Sequence, residues 1–297
     1  MPRVRSLPLI LAAVALLLAP LTAAAQEAPD LYAKLIADKG PALVTVKFVL
    51  KVSVGGAADR QQEAEAPGVL IDESGLVLCS STNMGGIAKL LAAQAQNVTA
   101  TPTDIKVLIG DDTEGLEAKL LARDSDLDLA WVQIKDAKSK KLPFVSFAAG
   151  VTPRIGQRVL VVRHMTKYFD RSLVVGESHI GGMTSKPRDL YVPNLPLAQG
   201  FGFPVFDESG QAVGFSVLQI PEDDGAPGNA RFQDATNLVL SANDVARATG
   251  RAREAAGPEA TTPETPATEA AKPDKEKPDE EKQDAAPAPD QPQPATP

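Results

Sequence analysis

Gly68-Val69-Leu70-Ile71-Asp72-Glu73-Ser74-Gly75-Leu76-Val77-Leu78-Cys79 is the stretch from which the fold of this chain can be read. Two short apolar runs flank a four-residue turn. Runs of this length bounded by turn residues read as strands. Asp and Ser side chains bond the backbone of a turn, and Gly supplies the backbone freedom that closes it. The stretch is therefore a β-hairpin. The same Asp-Glu-Ser-Gly recurs at residues 207–210, between Pro204-Val205-Phe206 and Gln211-Ala212-Val213-Gly214-Phe215. The recurrence suggests two similar β units, although four residues also recur by chance.

Outward from the hairpin the pattern stays β. Val44, Val46, Phe48, Leu50 and Val52 alternate with Thr45, Lys47, Val49 and Lys51, the period of a half-buried strand. Gly55 to Pro67 is polar and alanine-rich and reads as a loop. Further strands are predicted at Ile105–Ile109, Leu116–Ala122, Leu129–Ile134, Arg158–Val162, Ser172–Gly176, Gly214–Gln219 and Asn237–Leu240. Lys135 to Leu142 is a charged break suited to a crossover. Two short helices are predicted. One follows the cap Asp30, with Leu31, Leu35 and Ile36 on one face, and stops at Gly40-Pro41; the other covers Ile87–Gln96. Trp131, the lone tryptophan, reads as a core residue. Many short strands separated by turn signals make this an all-β chain, an antiparallel barrel or sandwich.

The ends differ from the middle. Arg3 and Arg5 precede the apolar run Leu7–Leu21 and the small residues Ala23-Ala24-Ala25, the pattern of an export signal over residues 1–25. The apolar run is short for a span of roughly 20 residues, so no stable membrane span is expected after cleavage, with an uncleaved anchor as the alternative. From Arg251 to Pro297 the only apolar side chains are alanine and proline, with 11 acidic against 6 basic residues. Such a segment cannot bury enough surface to offset its ordering entropy and is expected to be a disordered tail. The folded domain is expected over residues 26–250. Its 27 acidic and 22 basic residues argue against nucleic acid as a partner. Cys79 is the single cysteine, which excludes an internal disulfide and a cysteine-rich metal site; no metal or cofactor is expected. An exported chain without disulfides fits a bacterial periplasm or envelope, or the extracellular space. Asn97-Val98-Thr99 is a short match to a glycosylation sequon.

Four stretches, in order, resemble the HtrA/Deg-type branch of trypsin-like serine proteases. Gly68 to Leu78 resembles the hairpin that leads to the catalytic histidine. Arg123-Asp124-Ser125-Asp126-Leu127-Asp128-Leu129-Ala130 resembles the aspartate strand. Ile155-Gly156-Gln157-Arg158-Val159 resembles the start of the second barrel. Gly200 to Phe203, ahead of Pro204-Val205-Phe206, stands where the Gly-Asn-Ser-Gly-Gly motif belongs. The resemblance implies two packed six-stranded antiparallel barrels, the first about 41–136 and the second about 150–245. It places the histidine on or beside Thr82, the serine on Phe201 and the aspartate on Asp128. Only the last matches. The PDZ module common in that family has no counterpart here.

Those identities remove the chemistry. A serine attacks only when an imidazole takes its proton, and the aspartate only orients that imidazole. Phe201 has no nucleophilic atom, and Thr82 is no base near neutral pH. His164 and His179 lie in the second half and read as structural. Asp128 then reads as a buried carboxylate satisfied by backbone amides and the Thr82 hydroxyl, with a relic orienter as the alternative. Ser80 or Ser81 could be a displaced nucleophile, yet no base is supplied for either. Cys79 ends an apolar strand as a small core residue.

Three functions remain open. The first is an exported pseudoprotease that binds a protein or peptide partner, with Gly200, Phe201, Gly202 and Phe203 as the candidate cleft surface. The second is a serine-type endopeptidase with a non-standard site. The third is a structural envelope protein acting through its tail.

Overall fold

The computed structural model describes residues 30–54, 60–86, 98–137, 141–147, 152–197, 200–221 and 235–257. The expected signal, the helix expected over Ile87–Gln96, the sequon asparagine and the tail beyond 257 lie outside them.

Among the described residues, twelve strands form two closed barrels. The first contains β1 (Leu43–Val54), β2 (Arg60–Leu70), β3 (Leu76–Ser80), β4 (Val98–Ile109), β5 (Leu116–Asp124) and β6 (Leu129–Ile134). The second contains β7 (Arg158–His164), β8 (Leu173–Thr184), β9 (Leu190–Pro193), β10 (Pro204–Phe206), β11 (Ala212–Gln219) and β12 (Thr236–Ser241). All pairings are antiparallel. Around the first barrel the order is β1-β2-β3-β6-β5-β4, and around the second β7-β8-β9-β12-β11-β10. The two barrels thus share one topology, and the resemblance's architecture is the one observed.

Period-two alternation explains why the opening hairpin has no polar face. In β3, Val77 and Cys79 fill the first barrel, where Val46, Phe48, Val107 and Val132 meet them. Leu76 and Leu78 point the other way, into a cluster that also holds Trp131, Leu160, Phe215, Val217 and Leu240. The second barrel has its own filling of Val159, Val161, Ile180, Val205, Val213 and Val239. A strand buried on both faces reads as a continuous apolar run.

Two helices close the shared cluster. Helix α1, over residues 30–39, lays Leu31, Tyr32, Leu35 and Ile36 on it. The Tyr32 hydroxyl donates to Glu177, and Arg158 pairs with both Glu177 (2.6 Å) and Glu208 (3.0 Å). Helix α2 (Ala242–Ala256) is capped by Ser241, whose Oγ accepts the Asp244 N–H at 3.1 Å. Its Val245, Ala248 and Ala252 are buried in the cluster. Trp131 Nε1 donates to Thr249 Oγ at 3.0 Å, and Arg253 pairs with Asp72 of the first hairpin turn.

Several expectations shift. Residues 60–67, expected in a loop, belong to β2, paired to β1 from Val52↔Arg60 to Thr45↔Pro67. This end of β2 is exposed, so no apolar alternation marks it. β4 and β8 are longer than predicted, and β9 and α2 were not predicted at all. Arg251 to Ala256, expected in the tail, form the last turns of α2. The stripe of α2 is mostly alanine, which carries little apolar contrast.

Both Asp-Glu-Ser-Gly turns close in the same way. Asp72 Oδ1 accepts from Ser74 N–H (2.8 Å) and Ser74 Oγ (2.6 Å); Asp207 Oδ1 accepts from Ser209 N–H (2.9 Å) and Ser209 Oγ (2.6 Å). They occupy different places, however. The first joins the second and third strands of its barrel, the other the fourth and fifth. The duplicated unit is the whole barrel, not the turn.

Candidate functional site

β3 runs into Ser81 and then a tight turn over Thr82–Gly86. The preceding residue Ser80 pairs with Leu129 at the start of β6, which places Ser80 beside Asp128. The turn before β6 is held by Asp124, whose Oδ1 accepts from Asp126 N–H (3.1 Å) and Leu127 N–H (3.0 Å). Asp128 follows with φ at 57°, the left-handed region that aspartate enters more readily than most side chains.

The Asp128 side chain is 2 % exposed and its oxygens are taken. Ser80 Oγ donates across both, at 2.8 and 2.9 Å. The Thr82 N–H donates to Oδ1 at 2.8 Å, and the Leu218 N–H, from β11 of the other barrel, donates to Oδ2 at 2.8 Å. The Ser80 hydroxyl thus joins the expected Thr82, whose side chain also bonds the carboxylate. Burial raises the Asp128 pKa above the usual carboxylate value, opposed in part by the bonds from Leu218, Thr82 and Ser80.

Around this carboxylate the barrels are stitched together. Asn83 Nδ2 donates to the Phe201 carbonyl at 3.2 Å. Gly202 has φ at 91°, and a Cβ there would stand 3.1 Å from Asn83 Nδ2 and 3.2 Å from Ser80 Cβ. The Gly202 N–H donates to the Ser216 carbonyl (2.8 Å) and the Phe203 N–H to Ser216 Oγ (2.9 Å). These two amides are therefore committed to β11. Of the candidate cleft residues, Gly200 is exposed and Phe201 half-buried, Gly202 is buried, and Phe203 packs into the second barrel. Beside Gly200 lies a pocket of about 270 Å³, lined by Pro193, Leu195, Leu197 and Leu238 among others. Leu195 is 62 % exposed there.

The other nucleophile and base candidates are placed elsewhere or sealed. Ser80 is 0 % exposed and Ser81 1 %, and Ser81 Oγ has no hydrogen-bond partner. His164 ends β7, half-buried, with its pKa lowered by burial and by Arg171. His179 is exposed on β8, opposite Arg158. Neither bonds Asp128. Cys79 lies inside the first barrel, where burial pushes its thiol up to about 12. Among the described residues no cluster of His, Cys, Asp and Glu could hold a metal, and no helix is long and apolar enough to cross a membrane. The roles of Leu218 and Asn83 carry no sequence signal, because each depends on the packing of one barrel on the other.

Two six-stranded barrels of equal topology, with an aspartate buried between them, are matched at the level of family. Residues 67–215, half of the 297-residue chain, match the family described as trypsin-like peptidase domain. The chain belongs to the trypsin-like peptidase family. No curated protein matches it. Among solved structures it is similar to Deg5, at 18% identity and a TM-score of 0.45, over 72% of this chain and 90% of that one. It is also similar to the serine endoprotease from Yersinia pestis, at 17% identity and a TM-score of 0.47, over 74% of this chain and 66% of that one. Asp128, buried between the barrels, is bonded by neither histidine of the chain.

Proposed function

We propose that this chain is an exported trypsin-like scaffold without peptidase activity, which binds a protein or peptide partner at the cleft edge around Gly200 and Phe201. The carrying observation is the bonding of Asp128. Its donors are Ser80, Thr82 N–H and Leu218 N–H, and neither His164 nor His179 bonds it, so it orients no imidazole. Position 201 supplies a ring where acyl transfer needs a hydroxyl. Ser80 and Ser81 are buried and closed to substrate. The Phe201 ring and the adjoining apolar pocket offer a surface for an extended apolar segment. The signal-like residues 1–25 support export, and the HtrA/Deg-like motifs support an envelope location.

Cleavage of an unfolded protein substrate tests the first half. Neither the purified chain nor its Asp128→Asn variant is expected to cleave above background. Cleavage by the parent that the variant loses would restore the endopeptidase reading. Binding of extended apolar peptides, read by fluorescence polarisation, tests the second half. Phe201→Ser is expected to keep the fold and weaken binding by about tenfold, the loss of a well-packed aromatic contact. Unchanged affinity would move the partner site away from the cleft.

A further inference from the structure

A second, larger cavity of about 730 Å³ opens between α2, the β8–β9 connection and the turn just before Asp128. Its size is that of small-ligand sites. It shares no lining residue with the pocket beside Gly200. Three arginines line it, Arg188, Arg247 and Arg251, together with Asp189 and Asp244.

The charges are not equally engaged. Arg247 pairs with Asp244, which also accepts from the Ser241 hydroxyl at 2.5 Å. Arg188 is different. Its Nε is sealed from solvent and has no hydrogen-bond partner. Among the described residues, its guanidinium makes no hydrogen bond or ion pair with the protein. The side chain is half-buried and lines the cavity, with donors that no described residue satisfies. Arg251 stands one helical turn beyond Arg247 on the same face, exposed and unpaired among the described residues. Against Asp189, these two arginines leave one unmatched positive charge. Tyr191 adds a donor. Its side chain is buried, and burial, then Asp189 and Asp244, raise its pKa, so the phenol keeps its proton.

We infer that this cavity binds a small ligand through a single carboxylate or phosphate group, held by Arg188 and Arg251 with the Tyr191 hydroxyl as a further donor. Guanidinium forks match both oxyanions, so the chemistry is shared by a free anion and by the terminal carboxylate of a peptide. The site is independent of the cleft reading above, and Phe201→Ser is expected to leave it unchanged.

Calorimetric titration of the full chain at constant ionic strength tests it. Three probes are used: inorganic phosphate, a short peptide with a free C-terminus, and the same peptide amidated. Saturable binding of phosphate alone assigns a free anion, and binding of the free-acid peptide but not the amide assigns a chain end. Either result supports the site, provided that Arg188→Gln weakens it by about tenfold or more, as expected for lost bonds to a charged group. Arg251→Gln lies on an exposed helix face and is expected to fold as the parent while weakening binding severalfold. No saturable binding by any probe would overturn the inference. So would binding that Arg188→Gln and Arg251→Gln together leave unchanged.

Discussion

Asp128→Ala is expected to lower the stability of the folded domain by about 3 kcal/mol, a fall in melting temperature of about 10 °C for a domain of this size. The reason is the number of donors left behind. The carboxylate accepts from Ser80 Oγ, Thr82 N–H and Leu218 N–H in a site 2 % exposed. Removing it orphans two backbone amides, each costing about 1–3 kcal/mol, while relief of the charge's own desolvation offsets part of the total. Asp128→Asn keeps one acceptor oxygen but turns an amide against an N–H donor, and falls between. The pH dependence separates the two contributions. Because burial raises the Asp128 pKa, the native state holds its proton at pH values where the unfolded chain has lost it. Stability from this group therefore falls as pH rises from the unfolded carboxylate value through the raised folded value, and is level above it. The gap between parent and Asp128→Asn should narrow across that window in denaturant titrations. A loss below about 1 kcal/mol for Asp128→Ala would mean that the carboxylate is not a structural member of the interface.

Trp131→Ala is expected to cost about 4 kcal/mol, at the upper range for an aromatic deleted from a core. Trp131 is 2 % exposed and lies in the cluster to which both barrels and both helices contribute. The void would open within this cluster, whose strand and helix positions are rigid and cannot collapse into it. Thr249 would lose its indole donor but keep its own bond to the Val245 carbonyl at 2.8 Å, so no polar atom adds to the cost. Trp131→Phe, which fills most of the space, should cost less than half as much. Urea unfolding followed by circular dichroism measures both. Equal losses in the two variants would place the energy in the indole bond instead of in packing.

How much of this was legible follows from which physical signals are local. β1, β3 and β6 could be read because their apolar residues recur with a period of two or run unbroken. The exposed half of β2 could not, because a strand paired on one edge and wet on both faces has no pattern to show. Helix α2 was hidden by its alanine stripe. At the site, the sequence singled out Asp128 as a buried carboxylate, and it is buried. The sequence could not supply Leu218 as the donor that closes Asp128, because that residue lies 90 positions away and arrives only through barrel packing. Nor could it show that Phe203 faces the barrel interior while Phe201 stays near the surface.

Helix α2 has a consequence for the order in which the protein matures. It lies late in the sequence, yet it covers Trp131 and fastens Asp72, both in the first barrel. While the chain is being synthesised, the first barrel is finished early but keeps an uncovered greasy flank until residue 256 has emerged. The two halves therefore cannot ripen one after the other. They reach a state safe from aggregation together, when the last helix docks, and a nascent chain halted before residue 242 would depend on a chaperone to stay dispersed.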